Sequence, residues 1–286
     1  MLKVLISVFS AMGLAVSSFA QDYASLSVMM REKFAEMVKS TDDGEKRKAS
    51  DELAQLFEQY LTFPQSFTDS FSEMPNIGVV DSPDGAFRII NWNVPMSDFT
   101  HHFEGFVVKA PGKKDGKIRF ERLKYDRKSV QKPENKFFDG SQWPGALYYE
   151  ILPLKDGRKT YYTLLGWQGN DRLTTRKVIE VLDISGREVR FGAPIFKMDK
   201  ATPKRVIFEY KAEVQMALRY SPKDKMIVFD HLSPINPGME GNYAFYGPDL
   251  TFDGFAWEKG KWVLKSNIDA RIMRDSVKRP YSDPRK

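Results

Sequence analysis

The spacing of apolar residues changes once along this chain, at about Ile77, and this change constrains the fold more than any other feature. Before Ile77 the apolar side chains recur every three or four residues, which is the period of an amphipathic helix. After it they alternate with polar residues, which is the period of a half-buried strand. The sequence therefore predicts helices at the front of the chain and strands over most of the remainder.

Two helices are predicted within residues 21–75. The apolar stripes run over Leu26–Val38 and Ala49–Leu61, and both stretches are rich in residues that favour helices. The polar segment Ser40–Gly44 between them is short, which favours an antiparallel pair. A further short helix is expected to begin at Pro64, because proline is tolerated in the first turn of a helix.

The β region is predicted to cover residues 76–270. Its strand-like runs are 87–92, 102–108, 118–125, 147–152, 160–165, 177–182, 205–210, 214–220, 226–229, 250–257 and 262–264. Asp115-Gly116 and Asp156-Gly157 separate such runs and are typical of tight hairpin turns. Two longer irregular loops are expected at 125–144 and 231–243, and the first either divides the β region or is an insertion in it.

These patterns predict an α+β fold that is mainly β. No helical run of 10–15 residues separates the strands, so a parallel sheet with crossover helices is not expected. We expect an N-terminal helical hairpin followed by an antiparallel β-sandwich or a propeller-like β-meander.

The first twenty residues have the parts of a secretory signal peptide. A lysine opens the segment, Val4–Val16 is apolar, and Ser18 and Ala20 are the small residues before a cleavage site. A buried helix and a short membrane anchor are the alternative interpretations. We expect residues 1–20 to be removed and the mature protein, from Gln21, to be exported to the periplasm or the exterior. No later segment approaches ~18 uninterrupted apolar residues, so no membrane span is expected in the mature chain.

The composition excludes several classes of protein. Without cysteine the chain has no disulfide, no thiolate metal site and no cysteine nucleophile. The formal charge of +6 is modest for 44 basic and 38 acidic side chains. A dense basic excess occurs in residues 271–286, which are predicted to be a solvated tail or, alternatively, a contact for an acidic envelope surface. Because no basic stripe accompanies a recognisable motif, nucleic acid is not an expected partner.

Several segments of the β region have a distinctive sequence: Tyr161–Leu182, Phe191–Phe196, Arg205–Tyr210, Lys225–Ser233 and Tyr246–Leu250. Together they resemble a family of uncharacterised exported bacterial proteins, over roughly residues 75–270. The resemblance implies export and a β-rich body. It implies no activity and assigns no site residue in this chain.

Nucleophilic catalysis by serine has weak support in the sequence. A serine nucleophile needs a base that a third group orients, and Asp230-His231 lies close to Ser233. Neighbouring residues of a strand point to opposite faces, so Asp230 cannot easily orient His231. We expect both residues to end a strand and to hydrogen-bond the proline-rich turn that follows.

Metal binding is also weakly supported. Asp98, His101, His102 and Glu104 are neighbours in sequence, but a metal site needs three or four donors that converge. In an extended strand His101 and His102 diverge. These four residues are therefore interpreted as polar residues at a strand edge.

A hydrolase with paired carboxylates would need two acids about 5–10 Å apart across a cleft. Four acids in strand-like segments are each expected to face outward: Glu150, Glu180, Glu209 and Asp253. No catalytic residue, no metal and no cofactor is predicted.

The remaining signal is a set of aromatic and polar residues in segments that are also rich in glycine. The candidate ligand-binding residues are Trp143, Trp167, Asn170, Asp171, Tyr243 and Tyr246. A flat, exposed ring can stack on the apolar face of a sugar, while amides and carboxylates bind its hydroxyl groups. The alternative interpretation is that these rings fill the ends of the β core, because large aromatic side chains dominate core burial.

These observations favour a non-catalytic binding or structural protein of the cell envelope, with a glycan or another envelope component as the candidate partner. An envelope hydrolase that acts on glycans or peptides through a carboxylate site is the alternative.

Overall fold

The computed structural model describes residues 2–127, 132–199 and 201–269, with the backbone alone for residues 2–20. The predicted basic tail, residues 271–286, lies outside the described residues. The chain divides into two compact units. The first comprises Met1–Pro75 with Val108–Phe120, and the second comprises Asn76–Val107 with Glu121–Lys286.

The first unit contains the predicted pair of helices, α1 (Leu2–Lys39) and α2 (Asp43–Tyr60), which pack against each other. α1 is longer than the apolar stripe predicted, and the expected cleavage site before Gln21 lies within it. α2 begins after Asp42, whose carboxylate accepts the backbone N–H of Glu45 at 2.8 Å and so caps the helix. The predicted short helix from Pro64 is a 3-10 helix, Pro64–Thr68.

The apolar stripes of the two helices form the core of this unit. Their buried members are Met30, Phe34 and Met37 from α1, and Ala49, Leu53, Ala54, Leu56, Phe57 and Tyr60 from α2. At the edge of this core the hydroxyl group of Tyr60 is hydrogen-bonded to Tyr23 and to the carboxylate of Asp69. Burial raises the pKa of both phenols, so they remain hydrogen-bond donors at neutral pH.

The described residues contain fifteen strands. In chain order they are β1 Gly78–Asp81, β2 Phe87–Pro95, β3 His101–Lys109, β4 Arg119–Lys124, β5 Phe138–Asp139, β6 Leu147–Asp156, β7 Lys159–Gly169, β8 Thr174–Asp183, β9 Arg190–Phe191, β10 Phe196–Lys197, β11 Val206–Lys211, β12 Leu218–Ser221, β13 Met226–Pro234, β14 Tyr246–Glu258 and β15 Lys261–Lys265. The predicted turns at Asp115-Gly116 and Asp156-Gly157 are confirmed, because both glycines have positive φ between successive strands, +64° and +58°.

The strands form three sheets. The orders are β1-β2-β3-β4 in a four-stranded sheet, β5-β9-β8-β7-β6 with β11 on β8 in a six-stranded sheet, and β10-β15-β14-β13-β12 in a five-stranded sheet. The pairing is antiparallel wherever the register is described, except for the two-residue contact of β10 with β15, which is parallel. The predicted antiparallel, mainly β class is therefore confirmed.

The six-stranded sheet has a hydrophobic cluster on each face. One cluster joins Leu164 and Leu182 of this sheet to Phe87 and Phe103 of the four-stranded sheet. The other joins Leu165, Ile179 and Val181 to residues of the five-stranded sheet, which are Ile227, Phe255 and Trp262. This sandwich-like stacking, rather than a propeller-like arrangement, explains why β7 and β8 are buried almost continuously.

Two predicted boundaries were wrong, and one of the two alternatives for a loop was right. The strand predicted from Val214 begins at Leu218 as β12. The loop predicted at 231–243 is shorter, because β13 continues to Pro234 and pairs with β14 beyond a bulge after Asp230. The segment 125–144 is an insertion in the second unit, and it contributes β5 to the edge of the six-stranded sheet.

Candidate functional site

Both candidate tryptophans are buried, so neither offers its ring to a ligand. Trp143 is 0% exposed, and its Nε1 donates to Tyr148 Oη at 3.1 Å. Trp167 is 2% exposed and lies within β7. Its ring lies edge-on to His101 with the centroids 5.2 Å apart. The core-filling interpretation therefore holds for these two rings, because the stacked sheets cover both faces of β7.

Asn170 and Asp171 form the turn between β7 and β8. The carboxylate of Asp171 accepts the backbone N–H groups of Leu173 and Thr174 at 2.8 and 2.9 Å. Asn170 Nδ2 donates to Asp171 Oδ2 at 2.8 Å and to Thr174 Oγ1 at 2.7 Å. Thr174 Oγ1 in turn donates to Glu209 Oε1 of β11 at 2.7 Å. These bonds hold the turn in one conformation and anchor it to the neighbouring strand.

Tyr243 and Tyr246 lie side by side before and at the start of β14. Their ring centroids are 5.1 Å apart. Tyr246 Oη accepts the backbone N–H of Gly241 at 3.0 Å, which holds this ring against the preceding turn. Tyr243 is 45% exposed and faces solvent, and Tyr246 supports its ring from behind.

A groove of about 480 Å³ lies between the β7–β8 turn and the segment before β14, and we call it the Tyr243 groove. One wall comes from the β7–β8 turn and β11, and the other from residues 240–244. Its polar and aromatic lining residues are Asp171, Thr174, Glu209, Glu240, Asn242 and Tyr243. Of the predicted residues, Asp171 and Tyr243 line the groove directly, whereas Asn170 and Tyr246 support them from behind.

The groove contains residues that sequence reasoning missed. Glu240 and Asn242 precede Tyr243 in the same glycine-rich segment, and this proximity was the signal that could have found them. Glu209 was considered only as an outward-facing strand acid, and no local signal linked it to this segment, because it reaches the groove from β11 through the register of a sheet.

The predicted outward orientation was wrong for two of the four strand acids. Glu180 is 2% and Asp253 is 8% exposed. Glu180 Oε2 accepts from Arg205 Nε at 2.8 Å, and both side chains of this pair are buried. Burial raises the pKa of Glu180, while Arg205 opposes that shift. Each buried acid is accommodated because a partner lies beside it, and local alternation does not reveal such partners.

The carboxylates of Glu180 and Glu209 do not form a hydrolytic pair. Glu209 lies opposite Arg176 on β8, four residues along that strand from Glu180. Four residues of an antiparallel strand span about 13–14 Å, more than the ~5–9.5 Å used by glycosidases. Each carboxylate is also held by its own guanidinium group, that of Glu209 by Arg176 Nε at 2.8 Å. Glu180 and Glu209 therefore do not provide the pair of carboxylates that the hydrolase alternative needs.

The histidines are occupied by structural contacts. His101 Nδ1 lies 3.0 Å from Asn93 Nδ2, and His102 Nε2 lies 3.2 Å from Glu104 Oε1. Burial, with Arg127 nearby, lowers the pKa of His101 to about 4, so this ring is neutral at neutral pH. Across the described ranges, no group of three or more histidine and acidic side chains is arranged to hold a metal ion.

The predicted contacts of Asp230 and His231 were wrong. Asp230 Oδ2 accepts the backbone N–H of Ala217 at 2.7 Å, and His231 Nδ1 lies 2.8 Å from Asp253 Oδ2 on β14. The reason is that β13 continues past these residues, so their partners come from adjacent chain segments and not from the turn.

No protein-family model, curated protein or solved structure matches this chain. Within the part of the chain that the structure describes, no helix is both long enough and apolar enough to cross a membrane.

Proposed function

We propose that this chain is an exported, non-catalytic protein of the cell envelope that binds glycans in the Tyr243 groove. The observation that carries the proposal is the exposed Tyr243 ring, which lies in one groove with the carboxylates of Glu209 and Glu240 and the amide of Asn242. A sugar presents an apolar face and a rim of hydroxyl groups. A ring next to carboxylates and an amide matches both parts of that surface.

The groove has free hydrogen-bonding capacity and a supported aromatic surface. The side chains of Glu240 and Asn242 have no hydrogen-bond partner within the described ranges, so their polar atoms are available to ligand hydroxyl groups. Tyr246 and the turn at Gly241 hold the Tyr243 ring from behind. A binding surface that is already ordered loses less conformational entropy when it binds.

The groove favours binding over hydrolysis. Glu209 accepts from Thr174 and is paired with Arg176, so both of its carboxylate oxygens already have a partner. The general acid of a glycosidase instead needs a carboxyl group that is free to protonate the leaving-group oxygen. We therefore assign Glu209 to the wall of the groove and not to catalysis.

Affinity electrophoresis tests the glycan proposal. Gels that contain xylan, dextran or laminarin should retard the purified chain in at least one case. Tyr243→Ala should weaken that retardation at least tenfold in affinity, roughly 1.4 kcal/mol, because the stacking surface is lost. Tyr243→Phe should retain most of it, because the ring remains.

Phe137→Ala is the matched control, since Phe137 is an aromatic residue that is 49% exposed and does not line the groove. Two results would contradict glycan binding at this groove. One is that no polysaccharide changes the mobility of the parent chain. The other is that Tyr243→Ala and Phe137→Ala lose retardation equally.

We propose export because residues 1–20 have the pattern of a signal peptide. Its removal would leave a mature chain of defined mass. We expect the exported chain to begin at Gln21, because small residues at Ser18 and Ala20 suit signal peptidase. Intact-mass spectrometry of material from the culture medium or the periplasm measures this. Ala20→Phe should block the cleavage. Exported parent chain that still carries residues 1–20 would disprove the prediction.

A further inference from the structure

A second polar cavity lies in the second unit, and the glycan proposal does not use it. It has a volume of about 210 Å³ and lies over β7, β8 and β11. The segments Lys132–Glu134 and Pro144–Ala146, together with Tyr125 and Arg127, form its other walls. Glu209 lines both this cavity and the Tyr243 groove, so the two sites are neighbours.

Strands β8 and β11 provide a floor that is charged at its ends and apolar in its centre. Three side-chain pairs follow one another on this face: Arg176–Glu209, Val178–Ile207 and Glu180–Arg205. Alternate residues of a strand share a face, so the apolar pair lies between the two ion pairs. The phenol ring of Tyr148 adds to the apolar wall.

The cavity wall has donor groups that nothing in the described part of the chain satisfies. Arg205 Nη2 is buried and has no hydrogen-bond partner there, although Nε and Nη1 of the same side chain are bonded to Glu180 and Pro133. The hydroxyl of Tyr125 and the guanidinium of Arg127 also make no hydrogen bond within those residues. Arg205 Nη2 is enclosed, whereas Tyr125 is partly buried and Arg127 is exposed, so the donors of these two residues are accessible to a ligand in the cavity.

The charges in the cavity limit the ligand that would complete it. The cationic lining residues are Arg127, Lys132, Arg176 and Arg205, and the acidic ones are Glu134, Glu180 and Glu209. The surplus is one positive charge. Burial raises the pKa of Tyr125, so its phenol remains a neutral donor that can face an anion.

We propose that this cavity binds a small organic monocarboxylate with an apolar body. Its carboxylate would accept hydrogen bonds from Arg127 and Tyr125, since guanidinium groups match carboxylates well. Its apolar body would lie on Val178 and Ile207. The single surplus charge favours a monoanion over a phosphate dianion, and the volume limits the body to about the size of one ring.

Calorimetric titration of the full purified chain tests this site with phenylacetate, its neutral amide phenylacetamide and phenyl phosphate. Phenylacetate should bind at one site per chain, phenylacetamide should bind at least tenfold more weakly, and phenyl phosphate should bind no more tightly than phenylacetate. Arg127→Gln should lower the affinity for phenylacetate at least tenfold. Tyr125→Phe removes one donor and should lower it severalfold.

Arg187→Gln is the matched control, because it removes the same charge from an exposed residue that does not line the cavity. Melting curves of all variants show whether each has folded. The proposal is overturned by equal affinities for the acid and the amide, by no phenylacetate signal at millimolar concentration, or by equal losses in Arg127→Gln and Arg187→Gln. Tighter binding of phenyl phosphate would overturn the monocarboxylate assignment. The glycan test uses other probes and another variant, so either proposal can fail alone.

Discussion

Replacing Arg205 with methionine should lower the free energy of unfolding by about 3–5 kcal/mol. Arg205 and Glu180 are 1% and 2% exposed and form a hydrogen-bonded ion pair, so the substitution leaves a carboxylate buried without its counter-ion. Urea denaturation followed by circular dichroism measures the loss. The same substitution at Arg176, whose pair with Glu209 is 28% and 20% exposed, should cost only about 1 kcal/mol, because water screens that pair.

The double variant Glu180→Leu/Arg205→Met separates charge burial from packing. Removing both charges eliminates the unpaired carboxylate, and buried ion pairs are often replaced by apolar residues at little cost. The double variant should therefore recover most of the stability that Arg205→Met alone loses. If it remains as unstable as the single variant, packing of the guanidinium against Phe138, 4.4 Å from the ring centroid, is the larger contribution.

The second large effect is expected at Trp167. Trp167→Ala should destabilise the fold by about 3–5 kcal/mol, because it empties a large volume in a core that cannot fully collapse. The indole contacts His101 and Phe103, and its buried Nε1 has no hydrogen-bond partner in the described residues. Trp167→Phe should therefore cost less, since it keeps a ring and removes that unsatisfied donor.

Urea denaturation by circular dichroism measures this change without depending on indole fluorescence. Tyr243→Ala serves as the surface control and should change the free energy of unfolding by less than about 0.5 kcal/mol. A normal unfolding curve for Trp167→Ala together with lost glycan retention would show that Trp167 acts in binding and not in the core.

The sequence predicted the local elements well because local rules govern them. The change of period near Ile77 separates α1 and α2 from the strands, and this depends only on which side chains alternate. The turns at Gly116 and Gly157 need positive φ, which glycine adopts without strain. The predicted strand ends were wrong where pairing with a strand distant in sequence lengthened or shortened a strand, as at Pro234 on β13.

The candidate site was predicted only in part. Asp171 and Tyr243 were predicted and line one groove, and Asn170 and Tyr246 support it. Trp143 was predicted as well but is buried. An aromatic residue beside glycine and asparagine in sequence is compatible with a surface and with a core. Whether such a residue is exposed or buried depends on how much of its surface other sheets cover. The residues next to it in the sequence do not determine that area.

The sequence by itself determined the order of helices and strands, the hairpin turns and the antiparallel class, because hydrophobic period and turn chemistry act over a few residues. The tertiary structure alone decided that a six-stranded sheet is covered on both faces, and that Glu180 is buried opposite Arg205. It also decided that Glu209 lines both the groove and the cavity. Each of these depends on pairing between residues far apart in the chain, where sheet register and burial select the partners.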